Sequence, residues 1–272
     1  MRLSVSHRSV YSFDTPVRGI VQSLRMQPTD CENQRVIDWE LAVEGGQLGA
    51  AFRDGAGDWV QTLSLHDSVE QLTISANGTL EVSDLNGVLR GHREPVHPAV
   101  YLRRVRATAR SRGIDALAQE VTEKCDAASP LDTAHALARA VHERVAYVQG
   151  QTDAGTTAAE ALELGEGVCQ DHAHIVIATA ISCGIPARYV TGYLYSESGE
   201  AMSQASHAWA ELHVTDLGWV GFDGANGGCP DHRYVRLGSG FDALDAAPIR
   251  GLTLGSAEEQ LDVDVSVGQV QQ

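Results

Sequence analysis

Residues 1 to about 85 are written in short runs where apolar and polar side chains alternate. Leu3-Val5-His7 and Val10-Tyr11-Phe13 come first, then Val36 to Val43, Val60 to Leu65, Leu72-Ile74 and Leu80-Val82. A period of two sends successive side chains to opposite faces of a strand. Turn-forming clusters separate the runs: Asp14-Thr15-Pro16, Gly45-Gly46, Asp54 to Asp58, and Asn77-Gly78. Short strands broken in this way predict an antiparallel β-sandwich over residues 1–86. Residues 87–98 hold glycines, prolines and charges without a period and read as a linker.

From about Ala99 the period lengthens. Val100, Leu102, Val105 and Ala107 predict a first helical region; Ile114, Leu117, Ala118 and Val121 continue it to Cys125. Ser129-Pro130-Leu131-Asp132 is a stop and restart, with Asp132 or Thr133 as cap for a helix carrying Leu137 and Val141. Ala173 to Ile181 is almost wholly apolar, so that helix is covered on most sides rather than one. Gly184-Ile185-Pro186 ends it, and Ala187 to Leu194 reads as a strand. Ser206 to Val214 alternates again, turns at Asp216-Leu217-Gly218 and returns as Trp219 to Asp223. Residues 196–206 are a polar loop expected to act as a flap, and Asp231–Leu237, Leu252–Leu254 and Leu261–Val265 are further short strands. The expected class is α+β: the sandwich, then over 99–272 a core in which a buried helix packs on an antiparallel sheet.

Charge narrows the partners. With 36 acidic against 20 basic residues, the formal charge of −16 repels nucleic acid and anionic lipid, so neither is expected. No run approaches the ~20 apolar residues of a membrane span, and no export signal is evident, so a cytoplasmic protein is expected. Arg103, Arg104, Arg106, Arg110 and Arg112 invite an anion site, but ion pairing and a solvated face suit so acidic a chain better. The five cysteines, Cys31, Cys125, Cys169, Cys183 and Cys229, form no C-x-x-C pair and no disulfide framework. His7, His66 and Asp54 stand singly and are expected to be solvated.

Candidate chemistry gathers at Cys169. The glycines at 165 and 167 let the backbone bend close to a sulfur placed in the first turn of the buried helix, where free N–H groups and the dipole favour a thiolate. An amide leaving group needs a proton, and His207 is a candidate donor; the hairpin pairing brings Asp223 back beside it. Asp171 is a caution, since a carboxylate so close opposes a thiolate unless it turns away. The loop Tyr147 to Thr157 approaches from upstream and is expected to line a cleft. An oxyanion donor is open between the Cys169 amide and the side chains of Gln149, Gln151 and Gln170. Trp209, on the same strand face as His207, flanks the cleft or packs in the core, packing being favoured. A metal reading of Cys169, His172 and His174 fails on helical spacing, and no metal is expected.

The segments GVCQDHAHIVIATAISCGIPARYVTGYL, SHAWAELHV and LGWVGFDGANG together resemble the transglutaminase-like superfamily, in its bacterial branch of cysteine proteases. MRLSVSHRSVYSFDTPV and FRDGAGDWVQTLSL are similar to the N-terminal β-domain of that branch, and DHRYVRLGSGFDALDAAPIRG to its closing segment. The resemblance implies a papain-like or transglutaminase-like core, with Cys169 as nucleophile, His207 as general base and acid, and Asp223 orienting the imidazole. One departure is Gly224, where the family more often carries proline. The implied activity is hydrolysis of peptide, isopeptide or carboxamide bonds in a peptide or protein substrate, without a cofactor. Amine transfer on the same residues and a non-catalytic scaffold are the alternatives.

Overall fold

A computed structural model describes residues 1–125, 129–196, 206–255 and 257–270, with the side chain of His66 left out. The N-terminal unit is built from β1 (Arg2–Leu24), β2 (Gln34–Glu44), β3 (Gln47–Arg53) and β4 (Trp59–Val82). Strands β1 and β4 run antiparallel along almost their whole lengths, from Arg2↔Glu81 to Leu24↔Gln61, with register shifts between Ser12 and Val17 and between Arg18 and Ile20. The cluster Asp14-Thr15-Pro16, expected to end a strand, is instead an exposed irregularity within one. Proline is tolerated there because a bulge has no ladder bond to lose. Strands β2 and β3 flank opposite ends of β4. Tyr11, Phe13, Ile20, Leu24, Leu63 and Leu72, drawn from both halves of the long strands, share one core. The sandwich is therefore one continuous sheet that bends over its own apolar face.

Asn77-Gly78 also lies inside β4 rather than in a turn. A Cβ on Gly78 would meet the Trp39 ring at 2.6 Å and the Asp38 carbonyl at 2.4 Å. Glycine is there for the close approach of β2, not for a reversal. The Gly45-Gly46 and Asp54–Asp58 segments do turn; in the second, Asp54 Oδ1 accepts the Ala56 and Asp58 amides while Oδ2 accepts Arg25.

After a short 3-10 turn at Pro98–Leu102 come α1 (Arg112–Lys124), α2 (Pro130–Arg144), β5 (Ala146–Tyr147), α3 (Ala158–Leu164), β6 (Glu166–Gly167) and α4 (Cys169–Ser182). The helix expected from Ala99 stops after that turn, where the backbone becomes extended at Arg103 and Tyr101 packs edge-on against Trp219. Ser129, not Asp132 or Thr133, caps α2, its hydroxyl accepting the Asp132 amide with Pro130 in the first turn. Helix α3 was not expected; its signal is the capping box Thr157-x-x-Glu160. The arginines disperse into local contacts: Arg104 bonds Ser182, Arg110 pairs with Asp115, and Arg103 lies over the Phe241 ring.

The core sheet is β10 (Tyr234–Gly240), β7 (Ala187–Leu194), β8 (Ser206–Val214) and β9 (Gly218–Phe222), in that antiparallel order. Ala208, Ala210 and Leu212 of β8 pack on α4, which is buried from Asp171 to Ile181. The last strands, β11 (Ile249–Thr253) and β12 (Glu259–Gln269), leave this sheet and pair with β1. Strands β11 and β12 are thus hydrogen-bonded into the N-terminal sheet, although they fall within the expected 99–272 core. The flap expected at 196–206 falls largely on residues 197–205, outside the described residues.

The two units share a buried ionic layer on the face of the core sheet opposite α4. Arg188, wholly buried, gives Nε to Glu211 Oε2 at 2.7 Å and pairs through Nη1 with Glu94 Oε2 at 2.9 Å. Arg236 gives Nε to Glu211 Oε1 at 2.8 Å and Nη1 to Asp58 Oδ1 at 2.6 Å. Burial alone would raise the Glu211 pKa, but the two guanidiniums hold it down to about 2. His7, expected to be solvated, is buried at the same junction between the Tyr193 and Ser9 hydroxyls.

Candidate active site

The loop entering α4 is shaped by two close contacts. Gly165 ends α3 at φ +72° in the left-handed region that glycine enters freely. A Cβ on Gly167 would sit 2.7 Å from Asp171 Cβ, so only glycine leaves room for that carboxylate. Asp171 Oδ2 then accepts the Val168 amide at 2.8 Å and the Thr152 hydroxyl at 2.6 Å. The acid is turned back as a helix cap, and it ties the 147–157 loop to the helix tip.

Cys169 is the first residue of α4 and is half-buried. The amides of Asp171 and His172 both donate to the Val168 carbonyl, leaving the Cys169 amide among the first-turn donors without an intrahelical acceptor. His207 is the second residue of β8, and its Nε2 lies 2.6 Å from Asp223 Oδ2, just beyond the end of β9. The Cys169 sulfur is near enough to the same ring to act on its charge. Burial works against the charged imidazole, yet the Asp223 and Cys169 hydrogen bonds prevail and raise its pKa to about 10. Asp223 is held down to about 2 in spite of burial, by His207 first and then by Asn226 and Tyr234. With Nε2 committed to the carboxylate, Nδ1 is the nitrogen left for the sulfur.

The remaining candidates separate. Trp209 is 2% exposed and packs edge-on against Tyr234 and stacked beside His207, so it supports the ring from behind and forms no open wall of the cleft. Gln149 is exposed, as is Tyr147, whose hydroxyl pKa is pushed up by burial first and then by the Cys169 charge. Gln151 is exposed on the loop and Gln170 is half-buried beside the nucleophile. His172 has both ring nitrogens 2.9 Å from backbone carbonyls, and His174 Nε2 accepts the Ala243 amide at 3.1 Å. Tyr234 and Asn226, both bonded to Asp223, were missed by sequence reasoning. Both lie inside family-like segments, Asn226 in LGWVGFDGANG and Tyr234 in DHRYVRLGSGFDALDAAPIRG, but nothing local marks either side chain as a partner of Asp223.

Comparisons with known proteins agree with the fold. The model of the Transglutaminase-like superfamily matches residues 115–224, and that of the Bacterial transglutaminase-like N-terminal region matches residues 3–81. The uncharacterized protein ML0607 of Mycobacterium leprae is 25% identical over 98% of both chains. The uncharacterized protein Rv2569c of Mycobacterium tuberculosis is 28% identical over 98% of this chain and 91% of its own. Among solved structures, a candidate cysteine protease from Cytophaga hutchinsonii superposes with a TM-score of 0.76 at 21% identity, covering 100% of this chain and 92% of its own, a likeness of fold. A buried helix packed on an antiparallel sheet and two family matches along one chain lead to one assignment: the chain belongs to the transglutaminase-like superfamily, its core joined to the bacterial N-terminal region.

Proposed function

We propose that the protein is a cysteine-dependent hydrolase of peptide, isopeptide or carboxamide bonds, working through a Cys169-His207-Asp223 triad. The observation that carries this reading is the His207 ring, fixed by Asp223 at 2.6 Å on one side and within reach of the Cys169 sulfur on the other. The Cys169 thiolate attacks the substrate carbonyl and a C–S bond forms. The oxyanion lies at the tip of α4, where the Cys169 amide is a donor. His207 gives its proton to the departing amine as the C–N bond breaks, leaving a thioester. Water then adds to the thioester, His207 takes its proton, and the C–S bond breaks to release acid and thiolate. Asp223 keeps the ring in the tautomer these transfers need.

The test offers the protein a glutaminyl or isopeptide substrate with and without excess primary amine. Release of free acid that disappears in Cys169→Ala supports hydrolysis. Amine incorporation outpacing acid release makes the protein an acyltransferase instead. A Cys169 that iodoacetamide alkylates no faster than the other four thiols makes it a scaffold.

A further inference from the structure

Asp223 receives more donors than one imidazole requires. Its Oδ1 accepts the Ala225 amide at 2.9 Å and the Asn226 amide at 3.1 Å, both from the turn after β9. Its Oδ2 accepts His207 Nε2 at 2.6 Å, Asn226 Nδ2 at 2.7 Å and the Tyr234 hydroxyl at 2.8 Å. A carboxylate offers about four lone-pair sites, so five donors leave it no freedom to turn.

The Tyr234 bond differs from the others in where it originates. Strand β10 carries neither the sulfur nor the imidazole and joins the sheet on the far side of β7. The Tyr234 ring is 5% exposed and is held edge-on by Trp209 at 5.6 Å. Burial, and then the Asp223 charge, keep its hydroxyl protonated far above the ordinary phenol range, so it remains a donor. Two residues on, Arg236 is clasped by Asp58 and Thr29 of the N-terminal unit, and Gln34 bonds both its backbone amide and its carbonyl. Tyr234 is thus fixed from a part of the chain remote from the thiol.

We infer that Tyr234 is a positioning residue for the proposed triad, its hydroxyl locking the Asp223 carboxylate so that His207 is held with Nδ1 toward Cys169. It acts through Asp223 and touches no reacting atom. The inference rests on the roles given to Cys169, His207 and Asp223 above. By way of Arg236, the N-terminal unit becomes part of the brace that sets the active-site geometry.

The test is Tyr234→Phe, which keeps the ring and removes the donor. Two measurements are made: iodoacetamide alkylation of Cys169 from pH 5 to 9, read by peptide mass spectrometry, and the split of kcat and KM on the isopeptide substrate. Losing one hydrogen bond to a charged group should slow alkylation at pH 6 about tenfold and displace its pH profile. The value of kcat should fall similarly with KM within about twofold. A folded variant with the parent's alkylation profile overturns the inference, and a change in KM alone overturns it by giving the hydroxyl to the substrate. If the phenylalanine variant does not fold, 3-fluorotyrosine at position 234 keeps the shape and sharpens the donor, and an alkylation rate indifferent to it overturns the inference too. Alkylation needs no turnover, so a parent selectively alkylated at Cys169 but without hydrolysis sinks the hydrolase and still decides Tyr234. A parent without that selectivity sinks both.

Discussion

Arg236 of the core sheet reaches Asp58 of the N-terminal unit at 2.6 Å, and both side chains are buried. A charge pair of this kind gains little over a well-packed apolar pair, but removing one partner strands the other in a medium that cannot solvate it. Asp58→Ala should therefore cost about 3–5 kcal/mol of stability. Urea unfolding read by fluorescence and circular dichroism checks this, and a loss below about 1 kcal/mol would show the guanidinium finding solvent or another acid.

Acid should destabilise the fold well above the carboxylate range. Burial lowers the pKa of both His7 and His174 from 6.5 to about 4, partly opposed by Asp264 and Asp171 respectively. As pH falls, the unfolded chain takes up protons near 6.5 that the folded chain refuses until about 4. Their contribution is complete above 6.5 and is lost between there and about 4, on the order of 3 kcal/mol for each ring. His207 has the opposite sign: with a pKa raised to about 10, its contribution is complete below 6.5 and fades as pH rises toward 10. Denaturant midpoints at pH 5 and 7.5 for the parent and His174→Gln measure the first effect, which the variant should weaken.

Asp223→Asn should keep the fold while reducing turnover by roughly three to four orders of magnitude, because the amide no longer enforces the required tautomer. Selective alkylation of Cys169 should fall with it. Retention of more than about a tenth of parental turnover would mean that the ring is oriented by Asn226 and packing alone.

Asp171→Ala should cost roughly 0.5–2 kcal/mol through loss of the helix cap. It should also release Thr152, so the amides of 148–157 should exchange faster with solvent by mass-resolved hydrogen exchange. Gly167→Ala should reach the same end by forcing the carboxylate aside. Unchanged exchange in both variants would mean that Asp171 does not hold the loop.

Local patterns carried much of this fold. The almost wholly apolar Ala173–Ile181 run dictates a helix buried all round, and the alternation in Ser206–Val214 with the glycine-ended turn at 218 dictates a hairpin, which together place Cys169, His207 and Asp223 at element ends. Such features are set by neighbours a few residues apart, which a sequence displays directly. What lay beyond it depended on pairings between distant segments. Strands β11 and β12 look like core strands by composition, and nothing local says that they will lie against β1. Tyr234, Arg188, Glu211 and Arg236 sit at ordinary strand positions, where charge normally signals a solvated face. Only tertiary packing buries that face beneath Asp58 and Glu94, turning isolated charges into one paired layer and placing a tyrosine hydroxyl on the carboxylate that holds the imidazole. The physical reason is that helix and strand arise from short-range periodicity, whereas the partner of a buried charge is chosen by the whole fold.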